Sequence, residues 1–352
     1  MPSAGRGAQP QRAPAPRWRR VGGTAAAVAV VVGVFAFVLP RIANYSDVWH
    51  VVSGLSAAGI AALAVATAVN VATYGPPWMA ALPGLGFRQS MVLTQTSTAL
   101  SVAVPGGDAV GIAAAYAMLR GWGFRRDAVA VAVVVTGALN QIVNVTLPVL
   151  ALALLLLTGG SSPLLLTAGL IGIGAIVALA GALVMVLRGE PQARGVGERA
   201  EWLANRGLRI ARRPPRHGWG EAMVRFRRQT IDLLARRWAA ITVAQYLGHL
   251  AVFGVFLVAL RATGVGSDEV TWIEALAAWG LVRLLTAVPV TPAGVGIVEL
   301  GMATALVGFG AGNAEAVAAV LLYRVLTVVP TLVLGGVLGL TWRRHRIRPA
   351  GS

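Results

Sequence analysis

The chain contains no cysteine. That excludes disulfides, thiolate metal sites, iron–sulfur clusters and cysteine nucleophiles. Lysine is absent as well, and all 30 basic residues are arginine. Charge as a whole is scarce: 12% of 352 residues, against roughly a quarter in a soluble domain. There is no H-E-x-x-H, no G-x-S-x-G, no Walker sequence and no dinucleotide fingerprint. No metal and no cofactor is therefore expected. Too little polar sequence remains for a separate soluble catalytic domain, and no enzyme activity is expected.

What the chain has is apolar sequence, 57% of it, in long blocks. Several blocks reach the roughly 20 residues a bilayer crossing needs. The fold class is all-α, a polytopic membrane protein. The net charge of +17 raises nucleic acid as a partner, but its distribution argues against it. Arginines cluster at 6–20, 120–126, 188–237 and 343–348, between or beyond the apolar blocks. That is the pattern of cytoplasmic segments under the positive-inside rule. The expected partners are membrane lipids, anionic ones above all.

Residues 1–16 read as a disordered tail rich in Pro, Ala and Gly. A single membrane domain over 17–342 follows, and then a basic tail, 343–352. Spans are expected at about 21–39, 55–74, 128–157, 164–187, 238–260 and 314–341. Residues 40–54 carry little charge and are expected to lie outside. The loop 188–237 carries thirteen arginines and reads as cytoplasmic, a docking place for a membrane or cytoplasmic enzyme. In its second half, Met223, Phe226, Thr230, Leu233 and Leu234 recur at helical spacing among arginines, the pattern of an amphipathic helix on the inner surface. Both termini are expected in the cytoplasm and the protein in the plasma membrane.

Two segments break the apolar pattern in the same order. TALSVAVPGGDAVG (98–111) meets Pro105, Gly106 and Gly107 and then an acid, Asp108. TAVPVTPAGVGIVE (286–299) meets Pro289, Pro292, Gly294 and Gly296 and then Glu299. The apolar pieces beside each break are short, at 91–119 and 272–312. Arg88 before the first pair and Arg120, Arg125 and Arg126 after it make that pair a re-entrant hairpin from the cytoplasm. The tail arginines place residue 314 outside, so the second pair enters from the opposite face. The halves 55–157 and 238–341 thus form two inverted repeats with broken helices, a recurrent transporter design. If both pairs crossed fully, the same charge pattern would describe ten spans.

Non-helical backbone at membrane depth lines a cavity or is buried in protein. Helices starting near Asp108 and Gly296 would aim N–H groups and a positive dipole end at such a cavity, which favours an anion. Arg283 and Glu299 lie nearly equidistant from the second apex, so they sit at similar depth and can pair. Arg324 can reach the same cavity, as the cation for a headgroup or as a third member of the ion-pair network. Asp108 can bind a cation, move a proton or cap the helix it begins. Asn140, Gln141 and Asn144 make one polar face on span 128–157, and Gln245 and His249 make another on 238–260. Hydrogen bonding between helices is the simpler role for both.

Three stretches, VPGGDAVGIAAAYAMLRGWGF (104–124), RLLTAVPVTPAGVGIVELG (283–301) and YRVLTVVPTLVLGG (323–336), carry a family resemblance. The second is the most specific, an Arg ahead of a P-x-x-P-x-G-x-G-x-x-E turn. With them the chain resembles the flippase-like membrane region of lysylphosphatidylglycerol synthases and the stand-alone proteins built on that region. The resemblance covers roughly residues 20–342. It implies a lipid-handling membrane protein, a flippase for an anionic phospholipid or polyprenyl-linked lipid. The alternative is a non-transporting accessory or scaffold for a lipid-modifying or glycan-assembling enzyme. Two-domain synthases add a cytoplasmic aminoacyltransferase domain. About ten residues follow the last span here, so aminoacyl transfer is not expected.

Overall fold

The computed structural model describes residues 44–103, 107–157, 188–210, 214–285 and 296–345, with isolated helical positions between 167 and 184. The expected span 21–39, most of 164–187, and Pro105, Gly106, Pro289, Pro292 and Gly294 lie outside the described residues. Every regular element among the described residues is helical: α1 Tyr45–Ser53, α2 Ala57–Thr73, α3 Pro76–Ala81, α4 Phe87–Ala103, α5 Asp108–Gly121, α6 Arg126–Leu157, α7 Glu190–Ile210, α8 Trp219–Ala262, α9 Trp272–Leu285, α10 Ile297–Phe309 and α11 Asn313–Thr341. Local chemistry sets several ends. Asn44 caps α1 through the Ser46 amide at 3.2 Å, and Ser56 caps α2 through the Gly59 amide at 3.0 Å. Pro76 and Pro77 open α3, where no amide donor is needed.

Four helical stretches are long and apolar enough to cross a membrane: Ala57–Ala81, Arg126–Leu157, Trp219–Ala262 and Asn313–Thr341. They contain the expected spans 55–74 (from residue 57), 128–157, 238–260 and 314–341. Their outward faces agree with a lipid setting. On α8, Val243, Leu247 and Leu250 are exposed, while Ile241, Gln245, His249, Phe253, Phe256 and Leu260 are buried. On α11, Val325, Val329, Val333 and Val337 form an equally exposed apolar stripe. Such stripes are untenable in water and ordinary in hydrocarbon.

One stretch gains an element and one expectation is corrected. Residues 40–54 contain α1. It packs on α11 and buries Val48, because Val48, Val51 and Val52 give it an apolar side. The basic amphipathic segment does not lie on the inner surface as a separate helix. It is the first half of α8, one helix of 44 residues. At about 1.5 Å per residue α8 is roughly twice the thickness of the hydrocarbon layer. Phe226, Leu233 and Leu234 pack beside Trp78, Leu82, Leu85, Trp122 and Phe124. The apolar stripe is satisfied by protein.

Helix α7 runs antiparallel along this part of α8. Glu190 meets Arg228 at 2.6 Å, Arg194 meets Glu221 at 2.7 Å, and Glu201 accepts the Trp219 amide at 3.0 Å. Arg228 holds the Glu190 carboxyl below its usual range. The Trp219 amide, with a smaller part from His217, does the same for Glu201.

The apolar interior divides into two cores. One gathers α4 and α5 residues (Val92, Leu93, Met118, Leu119) with the N-terminal part of α6 (Val129, Val131, Val135) and Leu338 near the end of α11. The other gathers α9 and α10 residues (Trp279, Val282, Met302, Leu306) with the C-terminal parts of α6 (Val143 to Leu155) and α8, and the N-terminal part of α11 (Ala316 to Val320). The pairs α4–α5 and α9–α10 therefore sit at opposite ends of the long helices. The arginines at 120–126 and 343–344 lie at the α4–α5 end.

Glycines let these elements close up. A side chain at Gly111 would overlap Ser101 and the Ser97 carbonyl, so it holds α5 against α4. At Gly301 a Cβ would come 2.9 Å from Val282, which closes α10 onto α9. Gly335 brings α11 onto Gln95 and Ala99 of α4, and Gly280 brings α9 onto Pro148 of α6, where a Cβ would lie 2.9 Å from its Cα. Each short pair is thus clamped to the last long helix of the other half. Gly335→Ala should destabilise the protein by about 1–3 kcal/mol through overpacking. Gly336→Ala, where a Cβ meets nothing, should stay within about 0.5 kcal/mol. Thermal unfolding in detergent measures both.

Candidate functional site

Between the two cores lies a band of polar side chains. It includes the middle of α6 (Thr136, Asn140, Gln141, Asn144), the midpoint of 238–260 (Gln245, His249) and the middle of α11 (Tyr323, Arg324, Thr327). Charged and polar groups at such depth are costly unless they are paired. Here they are paired across helices.

The first group of contacts starts at α10. Gly296, before the first helical residue, has φ 91°, a left-handed conformation open to glycine. The Glu299 side chain reaches back and accepts the Gly296 amide. Its other oxygen accepts from Arg324 Nε of α11 at 2.7 Å. The side chains are 3% and 16% exposed, so this ion pair is shielded from water. Next to it, Trp279 of α9 donates to the Tyr323 hydroxyl at 3.0 Å.

The second group centres on one oxygen. Asn144 Oδ1 accepts from Arg283 of α9 at 2.7 Å and lies 2.9 Å from His249 Nε2 of α8. Asn144 donates to Gln141 at 3.0 Å, and Asn140 reaches the same Gln141 oxygen at 3.4 Å. Gln245 donates to the Thr136 carbonyl of α6 at 2.9 Å. The Arg283 guanidinium also stacks 4.6 Å from the centre of the Trp279 ring. Trp279 thus touches both Arg283 and Tyr323. Tyr74, at the end of α2, lies within electrostatic range of Arg283 and Tyr323.

The structure brings together Arg283, Glu299, Arg324, Asn140, Gln141, Asn144, Gln245 and His249. The carboxylate's ion pair runs to Arg324, where matched depth along the hairpin pointed to Arg283. Arg283 turns to α6 instead, because Asn144 presents an acceptor there. The polar faces of α6 and α8 do hydrogen-bond across helices, and they also join Arg283. Asp108 is exposed in the first turn of α5, next to Gly107, on the other short pair. Trp279, Tyr323 and Thr136 were not picked out from sequence. Tyr323 stood in a quoted stretch beside Arg324, and that adjacency was the available signal. Surface grooves near Pro83 and Arg236, and along α7 near Trp202, lie away from this band. Among the described residues no cluster of His, Cys, Asp and Glu is arranged to hold a metal.

A protein-family model described as the lysylphosphatidylglycerol synthase TM region matches residues 24–335. None of the curated proteins matches the chain.

Breaking the Glu299–Arg324 pair from one side removes the ion-pair partner of a shielded charge. Glu299→Gln and Arg324→Gln should each cost about 3–5 kcal/mol. The double variant should recover part of that loss, read as coupling in a double-mutant cycle of thermal unfolding.

Proposed function

The chain belongs to the lysylphosphatidylglycerol synthase TM region family, and from that premise we propose that it binds the anionic headgroup of a lipid at the polar band and moves the lipid between leaflets. The observation that carries this reading is the convergence of two arginines, from two elements, on one polar band at the middle of the long helices. A guanidinium has five donors in a rigid fork suited to phosphate oxygens. Arg324 donates Nε to Glu299, and Arg283 donates from one amino group to Asn144, an acceptor that a phosphate oxygen can replace. Trp279 against Arg283, joined to Tyr323 of α11, supplies an aromatic wall. Gln141, exposed at the middle of α6, gives the band a lateral edge toward the membrane.

The packing supports two inverted repeats with the short pairs as re-entrant hairpins. Under that correspondence α4–α5 matches α9–α10, and α6 matches α11. The clamp of α4 on α11 through Gly335 then matches the clamp of α9 on α6 through Gly280. The arginine-rich end is cytoplasmic under the positive-inside rule. Each hairpin closes the band toward its own face. Rocking one hairpin and its clamped long helix against the other opens the band to one leaflet at a time.

The test is reconstitution into vesicles containing fluorescent anionic and zwitterionic phospholipids, read by a quencher added outside. The purified protein should speed loss of protection for an anionic lipid. Arg283→Gln should lower that rate at least tenfold while leaving the fold intact by circular dichroism. A folded protein that translocates no phospholipid or polyprenyl phosphate would contradict the proposal.

A further inference from the structure

Arginine only donates hydrogen bonds, and this constrains its neighbours in turn. Arg283 lies 2.7 Å from one atom of the Asn144 amide. That atom must be the oxygen, since the opposite orientation would set N–H against N–H. The same oxygen lies 2.9 Å from His249 Nε2. An acceptor at that distance requires that Nε2 carry a proton. The other ring nitrogen, Nδ1, lies 2.9 Å from the Gln245 carbonyl oxygen. That is a second acceptor.

A neutral imidazole has one N–H, and here it is committed to Asn144. Nδ1 then presents a lone pair to a carbonyl oxygen, an unfavourable contact that a second proton turns into a hydrogen bond. The geometry thus provides both hydrogen-bond acceptors that an imidazolium needs. What opposes the second proton is Arg283, a cation on the same amide oxygen, together with burial of the ring at 7% exposure. An anion arriving at Arg283 offsets that opposition.

From these contacts we propose that His249 is a proton-binding site linked to the headgroup site, taking up its second ring proton when a lipid phosphate engages Arg283. This rests on the headgroup reading above and adds the coupling ion to it. The remaining groups around His249 fit the assignment. From α6 come the neutral Thr136, Gln141 and Asn144. Tyr74, just after α2, lies within electrostatic range of Arg283 and of Tyr323 on α11. Arg324 is matched by Glu299 of α10. Helices α3 and α7 pack on α8; α7 meets its N-terminal part around Gly220, far from residue 249. Linkage is reciprocal: if the phosphate favours the proton, the proton favours the phosphate by the same factor.

The experiment uses the full chain in detergent micelles, with ring-15N-labelled histidine and dihexanoylphosphatidylglycerol as the probe. The His249 signal is identified by its loss in His249→Gln, whose amide can still donate to Asn144. At pH 8 without probe, His249 should show the Nε2–H tautomer. Adding probe should move its titration to higher pH. Probe affinity should be about five- to tenfold tighter at pH 5.5 than at pH 8. In His249→Gln that pH dependence should vanish while binding persists. An Nδ1–H tautomer, or a probe that binds wild type equally at both pH values, overturns the coupling and leaves the headgroup reading standing. A probe that binds at neither pH overturns both. If His249→Gln does not fold, the wild-type tautomer and the probe-induced shift, with the signal assigned by His50, His217 and His345 variants, decide the question alone.

Discussion

A single carboxylate ties the start of α10 to the last long helix. Hydrocarbon offers no water to an open helix end, so backbone donors there must be satisfied by protein. Glu299 does this for the Gly296 amide, but it brings a charge to a depth where charge is costly. Arg324 neutralises it from α11, which fixes where α11 must stand relative to α10. Gly335 in turn sets how closely α4 approaches α11. The position of one buried acid therefore propagates through both short helix pairs.

The two apolar cores and the polar band between them divide the labour. The cores hold each short pair to the ends of the long helices, with glycine-mediated contacts that leave little slack. The band is joined by directional hydrogen bonds, which can exchange partners at little net cost if a ligand supplies equivalent acceptors. Arg283 is the clearest case, because a phosphate oxygen can replace the Asn144 oxygen. Trp279 stacks on Arg283 and donates to Tyr323, which ties α9 to α11 beside the band.

Much of this was legible in the sequence. Block length and composition gave the four long helices, and arginine placement gave a consistent end. What escaped had physical reasons. Equal distance from an apex fixes depth along a hairpin, but it says nothing about a neighbour on another helix, so Arg283 stood first as the partner of Glu299 and Arg324 only as a third member of the network. The continuity of α8 was readable: no proline or glycine stands between Gly220 and Gly248. The arginine density there drew attention to a membrane surface, while the stripe of Phe226, Leu233 and Leu234 had a protein core to meet. The polar faces of α6 and α8 were seen, but their junction at Asn144 depends on a crossing that one-dimensional spacing does not encode.

The central claim is that the polar band is reached from both sides of the membrane in turn. The absence of native cysteine makes this directly measurable. Asn140→Cys, half-buried at the edge of the band, can be probed with a membrane-impermeant thiol reagent in right-side-out and inside-out vesicles. The account predicts labelling from both sides, slowed in both by a short-chain anionic phospholipid. Labelling from one side only, unaffected by that lipid, would contradict it.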